Sequence, residues 1–126
     1  MAAQPIRLNG VIFSGSPSNL AAPCAPISIE PIIDKVGTLI KGLDGTRNWM
    51  QRGVERGWSI RWEDAPEATR DILEAIYLLN ITFTYRDEHG DAYTVQTEGG
   101  GWTESTGSID GNGNVFYNIT LQIWKA

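Results

Sequence analysis

The stretch Val54-Glu-Arg-Gly-Trp-Ser-Ile-Arg-Trp62, with Asp64-Ala-Pro-Glu67 just after it, decides the fold. Val54, Arg56, Trp58, Ile60 and Trp62 share one parity, and Glu55, Gly57, Ser59 and Arg61 take the other. Period-two alternation of this kind is a strand with one face in a core. A slip of one residue would expose two tryptophans, so its register is strongly specified. Beyond it the period changes. Ala68, Ile72, Ala75, Ile76 and Leu79 recur at helical spacing, and Leu73, Tyr77 and Leu78 widen the apolar arc. Asp64 with Glu67 has the form of a capping box, with Pro66 in the first turn. One helix is therefore expected over about 64–79.

Strand signals return at Ile81-Thr-Phe-Thr-Tyr85 and Tyr93-Thr-Val95, with a hairpin tip at Glu88-His-Gly-Asp91 between them. Ile81, Phe83 and Tyr85 share a face. Glu98-Gly-Gly-Gly101 reads as a loop or bulge, and Asp110-Gly-Asn-Gly-Asn114 as a tight turn. The last strand, Val115 to Lys125, places Val115, Tyr117, Ile119, Leu121 and Ile123 on the core side and Phe116 and Trp124 on a partly covered outer side.

Upstream, Ile6 to Phe13 reads as a first strand and Val36 to Ile40 as a short one. Cys24 to Ile33 carries three prolines, which remove ladder donors, so it reads as an edge strand or extended arm. Gly42 to Asn48 reads as a turn-rich connection.

The chain has 126 residues, fourteen glycines and six prolines. That length suits one domain, 1–126, with an N-terminal arm over about 1–35. The expected class is mainly β, a single-domain β-sandwich or barrel with one flanking helix. A net charge of −5 argues against a general nucleic-acid surface. The start lacks a secretory pattern and no run of about 18 apolar residues is present, so neither secretion nor membrane insertion is expected.

Candidate chemistry is sparse. Cys24 is the one cysteine and His89 the one histidine. A lone cysteine rules out an intrachain disulfide and a cysteine-rich zinc site, and Cys24 reads as a small buried hydrophobe. His89 falls on a hairpin tip, badly placed to activate a serine. Asp110, Asn112 and Asn114 begin like a calcium loop, but Val115 and Leu121 stand where glycine and glutamate are required. Glu98 to Trp102 lacks the context of a phosphate loop. No catalytic residue, metal site or cofactor is expected, and the protein is read as a non-enzyme.

Trp58 and Trp62 belong to the expected core. Trp49 and Trp102 fall in glycine-rich connections. Asp44 to Gly53 carries Arg47, Trp49, Met50 and Arg52, a mixture enriched at interface hot spots. The candidate subunit interface is therefore Arg47, Trp49, Met50, Arg52 and Trp102. The alternative use of Trp49 and Trp102 is stacking on sugar rings, as in a small carbohydrate-binding module.

The order of an arginine-tryptophan strand, one helix, a Thr-Phe-Thr strand, an acidic hairpin, a Tyr-Thr-Val strand and a long final strand, Tyr117-Asn-Ile-Thr-Leu-Gln-Ile123, resembles tail proteins of long-tailed bacteriophages. The likeness is to the distal tail protein and tail-tube fold, and it runs from Asp44 to Trp124. It implies a structural virion protein of the tail, made in the host cytoplasm, forming a commonly hexameric ring around a channel that passes DNA. It implies partners among tube, hub or tape-measure proteins. It implies sheet continuation between subunits, with Cys24 to Ile33 as a possible exchanged edge and the Asp44 to Gly53 loop meeting an adjacent subunit or ring. No catalytic residue is implied.

Overall fold

The computed structural model describes residues 4–14, 24–42, 45 and 47–126, with side chains described at all of these except 36–41 and 47–52. It is mainly β with one helix. The strands are β1 (Ile6–Leu8), β2 (Val11–Phe13), β3 (Ser28–Lys41), β4 (Arg47–Ala65), β5 (Phe83–Arg86), β6 (Ala92–Gln96), β7 (Trp102–Ile109) and β8 (Val115–Lys125). The helix α1 spans Glu67–Tyr77.

All eight strands form one antiparallel sheet in the order β2-β1-β5-β6-β8-β4-β3, with β7 also pairing β8. Strand β8 is the hub. It pairs β4 over Tyr117 to Trp124, β7 over Val115 to Leu121, and β6 at Trp124 and Lys125. β7 and β6 therefore follow one another along the β8 edge opposite β4. The sheet folds over on itself there: Phe13, on terminal strand β2, meets Trp62 of β4 edge-on with ring centroids 5.5 Å apart.

Between the folded halves lies the core of Ile6, Leu8, Phe13, Cys24, Ile60, Trp62, Leu73, Ile76, Phe83, Tyr85, Val95, Ile119, Leu121 and Ile123. The alternation of β4 and β8 holds. Ile60 and Trp62 are fully buried, and Trp58 packs on the core half-buried. Val115 and Tyr117, at the start of β8, are only half-buried, as are Phe116 and Trp124 on the outer side.

Several boundaries differ from the sequence expectation. Ile6 to Phe13 is a hairpin rather than one strand, turning at Asn9 and Gly10 with φ of 50° and 81°. Asn-Gly is the preferred pair for such a turn, and the short strands hid it. Val36 to Ile40 is no separate strand but continues β3 past a bulge at Val36 and Gly37. Cys24 to Ile33 contributes an edge strand paired with β4 of its own chain. The connection over 42–48 is shorter than expected, because pairing resumes at Arg47. Ile81 precedes β5 and is exposed.

The helix is shorter than 64–79 and begins differently. Pro66 is its N-cap, with no side-chain cap, and Asp64 belongs to β4. Its buried face is Thr69, Leu73 and Ile76, while Ala68 and Ala75 are exposed and Leu78 lies outside the apolar arc. Leu73 and Ile76 tie α1 to the sheet. Losing one such side chain to alanine costs about 2–5 kcal/mol.

Candidate assembly surface

The β3–β4 hairpin is longer than the sheet behind it. β4 first meets β8 at Gly57, whereas β3 and β4 pair from Ile33–Arg56 out to Lys41–Arg47. About ten residues of β4 thus form a two-stranded ribbon roughly 30 Å long at about 3.3 Å per residue. An isolated ribbon of this kind is at best marginally stable in water. β3 is also a terminal strand of the sheet, so its outer edge has no partner among the described residues.

Of the expected interface residues, Arg47, Trp49, Met50 and Arg52 all lie on this ribbon, in paired strand rather than in a loop. Their side chains lie outside the description. Trp102 is elsewhere. It opens β7, is half-buried, and packs its ring against Tyr77 at 5.6 Å.

At the base of the ribbon is an aromatic groove of about 250 Å³ lined by Pro31, Ile33, Arg56, Trp58, Tyr93 and Lys125, among others. Pairing explains the lining. Pro31 lies opposite Trp58, and Ile33 opposite Arg56, so the core face of the hairpin runs on past the core. Trp58 leans on Tyr93 at 4.7 Å and Tyr85 at 5.1 Å. Burial, then the carboxylates of Glu88 and Asp87, push the Tyr85 phenol up, and its hydroxyl has no hydrogen-bond partner. Desolvation and Asp87 push Tyr93 up as well, partly offset by Arg56. Arg56 and Lys125 line the groove, and the carboxylates of Asp87, Asp91 and Glu88 act on its Tyr93 from beside it.

Asp87, Asp110, Glu74 and Glu104 serve turns and ties. Asp87 Oδ1 accepts from the backbone of His89 and Asp91, which shapes the β5–β6 turn. His89 is exposed there beside Glu88, at 3.4 Å. Asp110 likewise accepts from Asn112 and Asn114, and the bonds from Asn114 hold its carboxyl below the usual value. Arg70 joins Glu104 and Glu74 and lies over the Tyr117 ring, with the Glu104 hydrogen bond raising its pKa most. Cys24 is fully buried, and burial pushes its thiol up, away from nucleophilic character. Among the described residues, no group of three histidine, cysteine or acidic side chains stands together to hold a metal. No described helix is long and apolar enough to cross a membrane.

Sequence reasoning missed the groove. Its members come from four stretches far apart in the chain, and only the alternation of β4, extended below Trp58 to Arg56 and Val54, hinted that the core face continued outward. No family model and no curated protein matches this chain.

Proposed function

We propose that the protein is a ring-forming structural subunit of a bacteriophage tail, at the distal tail or along the tube. The observation that carries this reading is the β3–β4 ribbon, which among the described residues has no third strand beside it and leaves the β3 edge open. A ribbon without a third strand and a sheet with a long free edge gain stability when other subunits cover them. Closed symmetric assembly removes such edges without open-ended growth. The phage-tail assignment itself rests on the resemblance of Asp44 to Trp124 to that family.

In this reading the ring is a homo-oligomer, hexameric by the family's habit, and its neighbours are tube, hub or tape-measure proteins. A net charge of −5 suits a wall past which DNA slides without binding. Trp102, one of the two tryptophans that motivate a carbohydrate-binding module, packs on Tyr77 within its own chain.

The test is negative-stain electron microscopy of the purified protein with light scattering for mass. Closed rings or stacked tubes with a central hole are expected. A monomer that also fails to bind any neighbouring tail protein overturns the reading.

A further inference from the structure

We propose that the depression between the β1–β2 turn and β5 binds a single tetrahedral oxyanion of the phosphate class, held by Arg7 and Arg86. This site is independent of the ring reading and lies away from the β3–β4 ribbon.

The depression has a volume of about 350 Å³ and is lined by Arg7, Asn9, Gly10, Thr84 and Arg86. Strand register builds it. Arg7 of β1 lies directly opposite Arg86 of β5, so the two share one face of the sheet. It is the outer face, because the next pair along, Leu8 and Tyr85, is buried in the core. Thr84 shares the parity of Arg86, and the Asn9 N–H donates to the Thr84 carbonyl at 2.7 Å, which draws the β1–β2 turn alongside.

Like charges directly opposite one another on paired strands oppose pairing. Among the described residues, neither Arg7 nor Arg86 forms an ion pair, and no carboxylate lines the depression. The cross-strand neighbours on this face, Ile12, Ala92 and Thr94, are uncharged. The nearest carboxylates in the chain, Asp87, Glu88 and Asp91, belong to the β5–β6 turn. Asp87 accepts from the turn backbone and Glu88 stands beside His89. All three act on Tyr93, which pairs with Tyr85 on the opposite face of β5 and β6. The Arg86 Nη1 donates to the Gly90 carbonyl at 3.0 Å, which anchors the guanidinium and leaves its other N–H groups for a ligand.

The donor set defines the ligand. Guanidinium forks match the paired oxygens of a phosphate. The Thr84 hydroxyl and the Asn9 amide add neutral donors beside them. Donors arriving from two strands and a turn suit an ion whose oxygens point in several directions, as those of a planar carboxylate do not. Two cations with uncharged flanks make a place for one ion, whereas a nucleic-acid strand needs basic groups repeated along its path.

The test is titration of the full chain with sodium phosphate at constant ionic strength, followed by nuclear magnetic resonance of the arginine Nε–H and backbone amide signals. Saturable shifts confined to Arg7, Arg86 and the residues around the depression are expected, with a Kd below about 1 mM. Arg7→Gln should weaken binding at least about tenfold. Arg86→Lys keeps the charge and loses the fork, and should weaken it at least about threefold. Arg61→Gln, at an exposed position of β4, is the control and should change nothing. Shifts that grow without saturation overturn the site, as does binding indifferent to Arg7→Gln. If Arg7→Gln alters the circular dichroism, Arg86→Lys decides in its place. Acetate binding as tightly as phosphate overturns the phosphate class. A single-stranded oligonucleotide that shifts the same signals with affinity rising with its length overturns the single-ion site in favour of a nucleic-acid contact.

Discussion

The indole nitrogen of Trp62 donates to the backbone carbonyl of Cys24 at 3.1 Å, joining the centre of β4 to the segment that leads into β3. The Cys24 backbone N–H in turn donates to the Thr69 hydroxyl on α1 at 3.3 Å. One buried peptide segment is thus held by the sheet on one side and the helix on the other. This explains why Thr69 is fully buried on a helix face that would otherwise be aliphatic.

Removing either donor or acceptor leaves the other group buried without a partner. Thr69→Val keeps the shape and loses the bond, so it should cost about 1–3 kcal/mol. Trp62→Phe loses volume as well and should cost more. Urea denaturation followed by circular dichroism measures both. A Thr69→Val protein as stable as wild type would show that the bond contributes nothing.

Asp64 holds a left-handed backbone, φ 52°, in the irregularity between Trp62 and Ala65. Its N–H donates to Asn118 Oδ1 at 3.2 Å and its carboxylate accepts from Ser108 at 3.1 Å. Its role is to join β4 to the β7–β8 pair, not to cap α1. Asp64→Asn keeps both the backbone tolerance and an acceptor, so stability should change by less than about 0.5 kcal/mol. Asp64→Val should cost about 1–3 kcal/mol, because a β-branched residue is strained at positive φ. Amide exchange should show the loss at β7 and β8. Loss confined to the first turn of α1 would instead mark Asp64 as a helix cap.

Gly57 is a matter of space rather than conformation. A Cβ there would stand 2.5 Å from the Ile123 carbonyl and 2.7 Å from the Trp124 ring. The first of these is backbone within a paired strand and has little room to yield. Gly57→Ala should therefore destabilise by about 1–3 kcal/mol and shift tryptophan fluorescence. Gly53→Ala, where a Cβ meets nothing within 4 Å, is the matched control.

Tyr85 offers a test at alkaline pH. Its neutral form is the one buried, so its folded pKa lies above the ordinary 10.0. The stability this contributes is fully present below 10.0 and is lost as pH rises through the folded value. Tyr85→Phe should remove that slope. It should be neutral or stabilising near pH 7, since the hydroxyl it deletes has no partner. Urea midpoints of both proteins from about pH 7 to 11 decide it, and a parallel alkaline decline in the variant would point to another group.

Parts of this architecture are legible residue by residue. Ile60 and Trp62, or Ile119, Leu121 and Ile123, announce their buried face because alternation is local and each strand carries its own record of it. The Asp87 to Asp91 turn is legible for the same reason, since its residues bond to one another within five positions. Asp64 misled because a cap and a bulge use the same small polar side chain. Which role it takes depends on Asn118 and Ser108, remote in the chain. Leu78 misled because an apolar residue at the end of a periodic run looks like its continuation, whereas α1 has already ended at Tyr77. Ile81 misled because it shares the parity of Phe83 and Tyr85, whereas β5 begins only at Phe83.

The sequence by itself determined the class: mainly β, one helix, a core drawn from the alternating strands and few candidate catalytic groups. Local periodicity and turn chemistry suffice for that, because each is set by neighbours along the backbone. Only the tertiary structure decided that the strands join in one folded-over sheet with β8 at its hub. It alone decided that β3 and β4 outrun that sheet, and that Arg56 and Lys125 meet beside Trp58 and Tyr93. Those are consequences of strand register and sheet order, which arise from pairings between distant residues and leave no mark in the spacing of nearby ones.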